Sequence, residues 1–155
     1  MNNNDVLRSI RYALDLSEPA IVNIIKLSEH EIERLAVAAL LKKEDEEGYV
    51  ECSDETLTSF LDGLIVHKRG KSEPKPEPVK KPASRLTNNT ILKKLRIAFE
   101  LKEEDLHAIL EQAGFAVSKP ELSALFRKKD HKNYRACGDQ ILRNFLKGLT
   151  LRHRG

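Results

Sequence analysis

Tryptophan is absent from this chain, methionine occurs once, cysteine twice, and aromatic residues make up only 5% of positions. Two cysteines, Cys52 and Cys137, cannot build a disulfide scaffold, and neither has a CxxC partner or a histidine pair at zinc-ligand spacing. No metal and no cofactor is therefore expected. Long hydrophobic runs are missing as well: none reaches the roughly 18 residues that span a bilayer. The opening stretch MNNNDVLRSIRY lacks the charged-then-apolar layout of a signal peptide, so the expectation is a soluble cytoplasmic protein without a membrane partner. Scarce aromatics also deny the chain the basic, aromatic-rich stripe on which single-stranded nucleic acid stacks. Alternating apolar and polar runs, the mark of strands, are absent too, which leaves an all-α reading.

What is present fits one ordinary domain or two very small ones: 155 residues, 33% charged and 40% hydrophobic. The formal charge of +3 hides a polarity along the chain. Residues 3–70 hold 8 Lys and Arg against 14 Asp and Glu, a net of −6; residues 88–155 hold 14 against 8, a net of +6. An acidic half followed by a basic half fits two situations, an acidic partner for the second half or mutual attraction between the halves.

Sliding the chain against itself exposes a duplication. An offset of 85 aligns residues 3–70 with 88–155 without a gap, and 22 of the 68 positions are identical. YVECSDETLTSFLDGL at residues 49–64 thus returns as YRACGDQILRNFLKGL at 134–149. Between the copies runs KSEPKPEPVKKPASRLT, residues 71–87, with four of the six prolines and almost nothing apolar. Such a stretch cannot bury enough surface to offset its ordering entropy, and it reads as a flexible, extended Pro- and Lys-rich linker. The expected organisation is an acidic repeat over 1–70, the linker over 71–87 and a basic repeat over 88–155.

Each repeat carries four segments of helical period. Val6, Leu7, Ile10, Ala13 and Leu14 share one face, as do Ile91, Leu92, Leu95, Ala98 and Phe99, with Asn3 and Asn4, or Asn88 and Asn89, as N-caps. A second helix is predicted over 18–27 and 103–113, the latter stopped by Gly114. A third is predicted over 32–43 and 119–128, opened in the second copy by the capping box Ser118 to Glu121. The fourth covers 54–68 and 139–153. Gly63 and Gly148 interrupt it; a helix-interior glycine costs about 1 kcal/mol relative to alanine, so two at one position imply a close helix approach.

The strings VLRSIRYAL and ILKKLRIAF, LLKKEDEEGY and RKKDHKNYRACGDQILRNFLKGL, and the endings KRG and HRG resemble the YehS-like bacterial proteins, a family of unknown function whose domain usually occurs in pairs. The resemblance covers nearly the whole chain apart from the linker. It implies a small cytoplasmic helical protein and carries no activity or catalytic residue with it.

Among residues held in common, the densest cluster enters the last helix of each copy: Lys43, Asp45, Tyr49, Cys52 and Asp54, repeated as Lys128, Asp130, Tyr134, Cys137 and Asp139. A thiol, a phenol, carboxylates and an ammonium could support nucleophilic or acid/base chemistry, yet no histidine is shared between the copies. The structural reading explains more. Each cysteine precedes an N-cap position, Ser53 or Gly138, and packs on Leu57 or Leu142, while Asp54 and Asp139 fall in a first turn that favours a carboxylate. Arg11 and Arg96 lie at the edge of the buried face and are expected to pair with Asp45 and Asp130. At matched positions Glu44, Glu46 and Glu47 become Lys129, His131 and Lys132, so the two loops could meet about a pseudo-twofold axis. For nucleic acid, the second repeat offers Lys93, Lys94, Arg127, Lys128, Lys129, Lys132 and Arg135, and residues 103–129 read loosely as helix, turn, helix.

These observations favour a non-enzymatic helical interaction protein with no catalytic, cofactor or metal residues, whose repeats pack together or bind a protein partner. The alternative is a nucleic-acid-binding regulator using residues 88–155. Oligomeric state is not encoded in any of these features.

Overall fold

The computed structural model describes residues 1–69, 86–128 and 130–154. The proline-rich linker reading and Lys129 fall outside them, apart from Leu86 and Thr87 at the linker's end. The described residues form α1 (Asn3–Leu14), α2 (Glu18–Lys26), α3 (Arg34–Leu40), α4 (Asp54–Arg69), α5 (Asn88–Ala98), α6 (Glu103–Gln112), α7 (Lys119–Ala124) and α8 (Asp139–Arg154), with no strand among them. The fold is all-α, and α1 to α4 recur as α5 to α8.

Local chemistry sets the helix ends. α1 begins on Asn2, whose side chain accepts from the Asp5 N–H at 2.8 Å while Asp5 accepts from the Asn2 N–H at 3.0 Å. α5 begins on Thr87, which accepts from Thr90 N–H. The expectation that Asn3, Asn4, Asn88 and Asn89 cap these helices is thus corrected: they lie inside the first turn, with their amides free for another task. α6 ends as its glycine foretells. Gly114 takes φ +83°, its N–H donates to Glu111 O at 2.9 Å, and Phe115 N–H returns to Leu110 O at 3.0 Å. The capping box of Ser118 and Glu121 forms at the start of α7.

α3 and α7 are shorter than the apolar pattern predicts. Carbonyls at their ends accept from the returning loop: Ala39 O from Val50 N–H at 3.3 Å and Ala124 O from Arg135 N–H at 3.1 Å. The loop N–H groups thus compete for carbonyls that a further helical turn would use.

Gly63 and Gly148 mark the closest helix approaches. A Cβ on Gly63 would lie 1.8 Å from the Ile24 carbonyl oxygen, and one on Gly148 2.1 Å from that of Ile109. Backbone thus meets backbone where α4 crosses α2 and α8 crosses α6, and the same contact is built twice.

The copies do not pack side by side as finished units. α1 makes its most extensive contacts with α8 of the other copy, and α5 with α4, while α1 with α4 and α5 with α8 touch less. Both seams run parallel. At one end the Met1 ammonium reaches Asp139 Oδ2 at 2.9 Å, matched by Leu86 N–H on Asp54 Oδ2 at 3.1 Å. At the other end Arg154 meets Asp15 at 3.7 Å, matched by Arg69 and Glu100 at 3.4 Å. Each pair maps onto the other by the offset of 85, so the copies are related by a pseudo-twofold. One continuous core runs through both, including Leu7, Ile10, Leu57, Phe60, Leu92, Leu95, Leu142 and Phe145.

Residues 1–70 and 88–155 produced as separate polypeptides should each show weak, poorly cooperative helical melting as monomers. Mixing them in equal amounts should restore the circular dichroism spectrum of the intact protein, with a Tm that rises with concentration. Two monomeric pieces that melt sharply and do not associate would contradict the interlocked packing.

Candidate functional site

The shared loop is organised by the asparagines of the first helix. Asn4 is fully buried, and its Nδ2 donates to Leu40 O and Val50 O, both at 2.9 Å. Its Oδ1 accepts from the Cys52 N–H at 2.9 Å and from the Tyr49 hydroxyl at 3.1 Å. Asn3 donates to Cys52 O at 3.1 Å and Asp54 Oδ1 at 2.7 Å. Asn89 repeats three of Asn4's bonds, to Leu125 O, Arg135 O and Cys137 N–H, and Asn88 repeats both of Asn3's, to Cys137 O and Asp139 Oδ1. A buried amide satisfies four partners only if it fits one geometry, so this pair fixes the loop's path across the start of the helix.

Tyr49, the Cys52 backbone and Asp54 therefore converge on one polar knot, as do the Cys137 backbone and Asp139 in the second copy. Lys43, Asp45, Lys128 and Asp130 do not join it; all four are exposed. Tyr134 is half-buried and makes no hydroxyl bond to Asn89. Ser53 caps α4, accepting from Thr56 N–H at 3.1 Å. Asp54 and Asp139 each bridge the two copies: one oxygen accepts from the asparagine of its own repeat's first helix, Asn3 or Asn88, and the other accepts from the chain entering the other repeat's first helix, Leu86 N–H or the Met1 ammonium. The Asp139 carboxyl is held below the usual range, first by the N-terminal ammonium and then by Asn88.

Electrostatics at the cysteines oppose nucleophilic chemistry. Burial, reinforced by Asp54, pushes the Cys52 thiol up to about 12, and burial with Asp139 pushes Cys137 up to about 11. Neither thiol is ionised near neutrality. Among the described residues no group of His, Cys, Asp and Glu is assembled as a metal site.

The expected ion pairs at Arg11 and Arg96 do not form. Arg11 is exposed, and no ion pair joins it to Asp45. The Arg96 Nε donates to Leu101 O at 3.1 Å and its guanidinium lies 4.7 Å from the centre of the Phe126 ring, so it braces the end of α5 in place of meeting Asp130. The loop pairing about the pseudo-twofold is likewise corrected: among the described residues the ionic contacts between copies lie along α1/α8 and α4/α5, with none from Glu44, Glu46 or Glu47 to His131 or Lys132.

The candidate nucleic-acid cations are divided. Lys94 is half-buried against Asp62 at 2.5 Å, and Arg135 is paired with Glu121 at 2.8 Å, whose carboxyl is lowered first by Ser118 and then by Arg135. Lys93 is exposed on α5, while Arg127, Lys128 and Lys132 are exposed around the loop after α7. α7 itself has six residues, under two turns, which is short for a helix that must lie in a major groove.

Arg154 is one of the second repeat's cations that the sequence offers to nucleic acid, and Arg69 is its counterpart in KRG; each instead meets an acid of the other copy. Both acids they meet, Asp15 and Glu100, are left-handed, at φ 54° and 51°. A non-glycine residue rarely adopts that conformation, and here it turns both carboxylates toward the other copy's last helix. Arg154 also donates to Tyr12 O at 2.8 Å and covers the Tyr12 ring at 4.3 Å. Nearby, Lys68 lies 5.3 Å from the Phe99 ring centre and His153 5.1 Å from it; burial first, then Lys68 and Arg152, lower the His153 pKa.

With this geometry in place, comparison with known proteins is direct. A family described as "Protein of unknown function (DUF1456)" matches residues 3–70 and again 88–155. The chain belongs to this family. It is also 51% identical over 152 residues, 98% of this chain and 96% of the relative, to "Uncharacterized protein YehS" of Escherichia coli (strain K12). No solved structure matches it. The family's twofold match coincides with the two copies traced above, and it assigns no activity to either. No helix among the described residues is long and apolar enough to cross a membrane.

Removing the Asn4 amide strands Leu40 O, Val50 O and the Cys52 N–H. Asn4→Ala should therefore lower stability by about 3 kcal/mol, and the less buried Asn89→Ala by about 1–2 kcal/mol, read from urea midpoints. Equal small losses would mean that the amides do not hold the loops. Both thiols should react with a maleimide at pH 8 far more slowly in the folded than in the unfolded protein. Because their folded pKa values are raised, the stability they contribute is complete below the unfolded thiol pKa and is lost as pH rises through about 11 and about 12. Rapid native labelling of either cysteine contradicts this assignment.

Proposed function

We propose that this protein is a non-catalytic helical interaction protein that binds a partner protein through the α2–α3 corner of its first repeat. Its two repeats, 1–70 and 88–155 with 71–87 between them, act as one unit in the cytoplasm, a compartment in which free thiols such as Cys52 and Cys137 stay reduced. One asymmetry between the copies carries this reading. Leu35 is 81% exposed, Leu27 is exposed as well, and Val22 and Ile32 line a shallow groove of about 360 Å³ with Lys26, Glu31 and Glu33. The matched positions in the second copy are Pro120, Gln112, His107 and the buried Val117. Since the same fold is built without apolar surface there, the fold does not require it in the first copy.

The rim indicates the partner's chemistry. Glu29, Glu31 and Glu33 are exposed around the groove, on a copy whose net charge is −6. A helical segment with apolar residues one turn apart and Lys or Arg beside them complements both features. The protonated, buried thiols and the lack of a shared histidine support a role without chemistry. Nucleic-acid binding through the second copy rests on that copy's charge of +6, and the ion pairs at Lys94 and Arg135 weaken it.

Selection of a phage-displayed random peptide library on the intact protein tests this. Enriched peptides should carry apolar residues at i and i+4 flanked by Lys or Arg, and Leu35→Asp should weaken them by roughly tenfold or more without moving the melting temperature. An acidic consensus, or a basic one that binds Leu35→Asp equally well, defeats the proposal.

A further inference from the structure

The two parallel seams between the copies are equivalent in backbone and opposite in chemistry. In the α4/α5 seam, Lys94 and Asp62 are joined at 2.5 Å, and Ile65 and Ile97 are their apolar neighbours on α4 and α5. Moving each by the offset of 85 gives the α1/α8 seam, where Lys94 becomes Ser9, Asp62 becomes Lys147, Ile65 becomes Thr150 and Ile97 becomes Tyr12. The bridging carboxylate is thus replaced by an ammonium and the bridging ammonium by a short hydroxyl. Where an ion pair spans one seam, the other holds a groove of about 360 Å³ whose lining includes Met1, Ser9, Arg143, Leu146 and Lys147.

The groove's cations differ in what already occupies them. Arg8 is bound to Asp5 and to Lys42 O, and the Met1 ammonium to Asp139. Thr150 donates its hydroxyl proton to Leu146 O at 2.8 Å, so it contributes room more than a donor. Arg143 and Lys147 are exposed and in no ion pair within 4 Å among the described residues, Arg143 acting on the Asp139 carboxylate only at longer range, and Thr58 and Asp62 stand at their places in the other seam. Four residues apart on α8, they are about 6 Å from one another along the axis, near enough to share one tetrahedral anion. Ser9 adds a hydroxyl donor from the facing helix, while Leu146 and Met1 give an apolar floor.

We propose that the α1/α8 groove is a binding site for a small phosphate-bearing molecule. Its phosphate lies between Arg143, Lys147 and Ser9, and a short apolar body lies on Leu146 and Met1. The volume falls within the usual range of about 300–1,000 Å³ for small-ligand sites. Residues of both copies form it, so it exists only while they are paired. This site is independent of the α2–α3 surface.

The test uses the intact protein, with inorganic phosphate, pyrophosphate and adenosine monophosphate as probes and backbone amide NMR as the readout. All three should shift amides of α1 and α8 around Ser9 and Lys147, with the organic phosphate binding most tightly. The double variant Ser9→Lys with Lys147→Asp transplants the closed seam's ion pair. It should keep the helical spectrum and melting temperature and bind each probe at least tenfold more weakly, whereas Lys119→Ala, remote on α7, should leave binding unchanged. Unaltered binding by the double variant, or shifts spread over all basic surfaces, overturns the site. A single-stranded oligonucleotide that binds the groove with a steep salt dependence while the three small probes do not would also overturn it, assigning the groove to a nucleic-acid strand.

Discussion

The structure depends on an exchange of partners between two copies of one helical unit. Each copy's first helix is tied at its start to its own loop by two asparagines, yet it lays its length along the other copy's last helix. That arrangement explains why the core is continuous and why residues at the helix ends recur in both copies. Half a chain of this size buries only about 60% of its unfolded surface and is marginal alone. Sharing α1 and α5 across the pseudo-twofold lets each copy complete the other's core.

Parallel seams impose an electrostatic demand. The N-termini of α1, α4, α5 and α8 gather at one end and their C-termini at the other, so partial charges of like sign accumulate in place of cancelling. The sequence answers at both ends. Asp5, Asp54, Glu55 and Asp139 occupy first turns, while His67, Lys68, Arg69, Arg152, His153 and Arg154 occupy last turns. The endings KRG and HRG thereby acquire a physical reason: their arginines offset the carbonyl ends and clasp the left-handed acids of the other copy.

Much of this was legible in the chain because periodicity and repetition are local signals. The helical class, the duplication, the capping box at Ser118, the stop at Gly114 and the close approach at Gly63 and Gly148 all follow from residues near one another in sequence. The misses share a different origin. Asn3 and Asn4 look like caps because asparagine before an apolar stripe usually is one, and only the returning loop shows that Asn4 is buried on four partners. Arg96 looks like a carboxylate's partner until Phe126 arrives from the turn after α7 to lie beneath it. Likewise the seam contrast between Lys94–Asp62 and Ser9–Lys147 is present in the alignment of the copies, but which residues face each other across it depends on tertiary pairing.

That pairing carries a consequence for the symmetry of the two seams. A unit whose first helix completes a neighbour's bundle, and is itself completed in return, satisfies its contacts only as a symmetric two-chain assembly with self-complementary faces. In such an assembly every substitution is made on both sides at once, so a lysine placed where Lys147 now stands would have appeared in each seam. In one polypeptide that restriction is absent: Asp62 and Lys147 are separate positions, so the two seams can carry different chemistry.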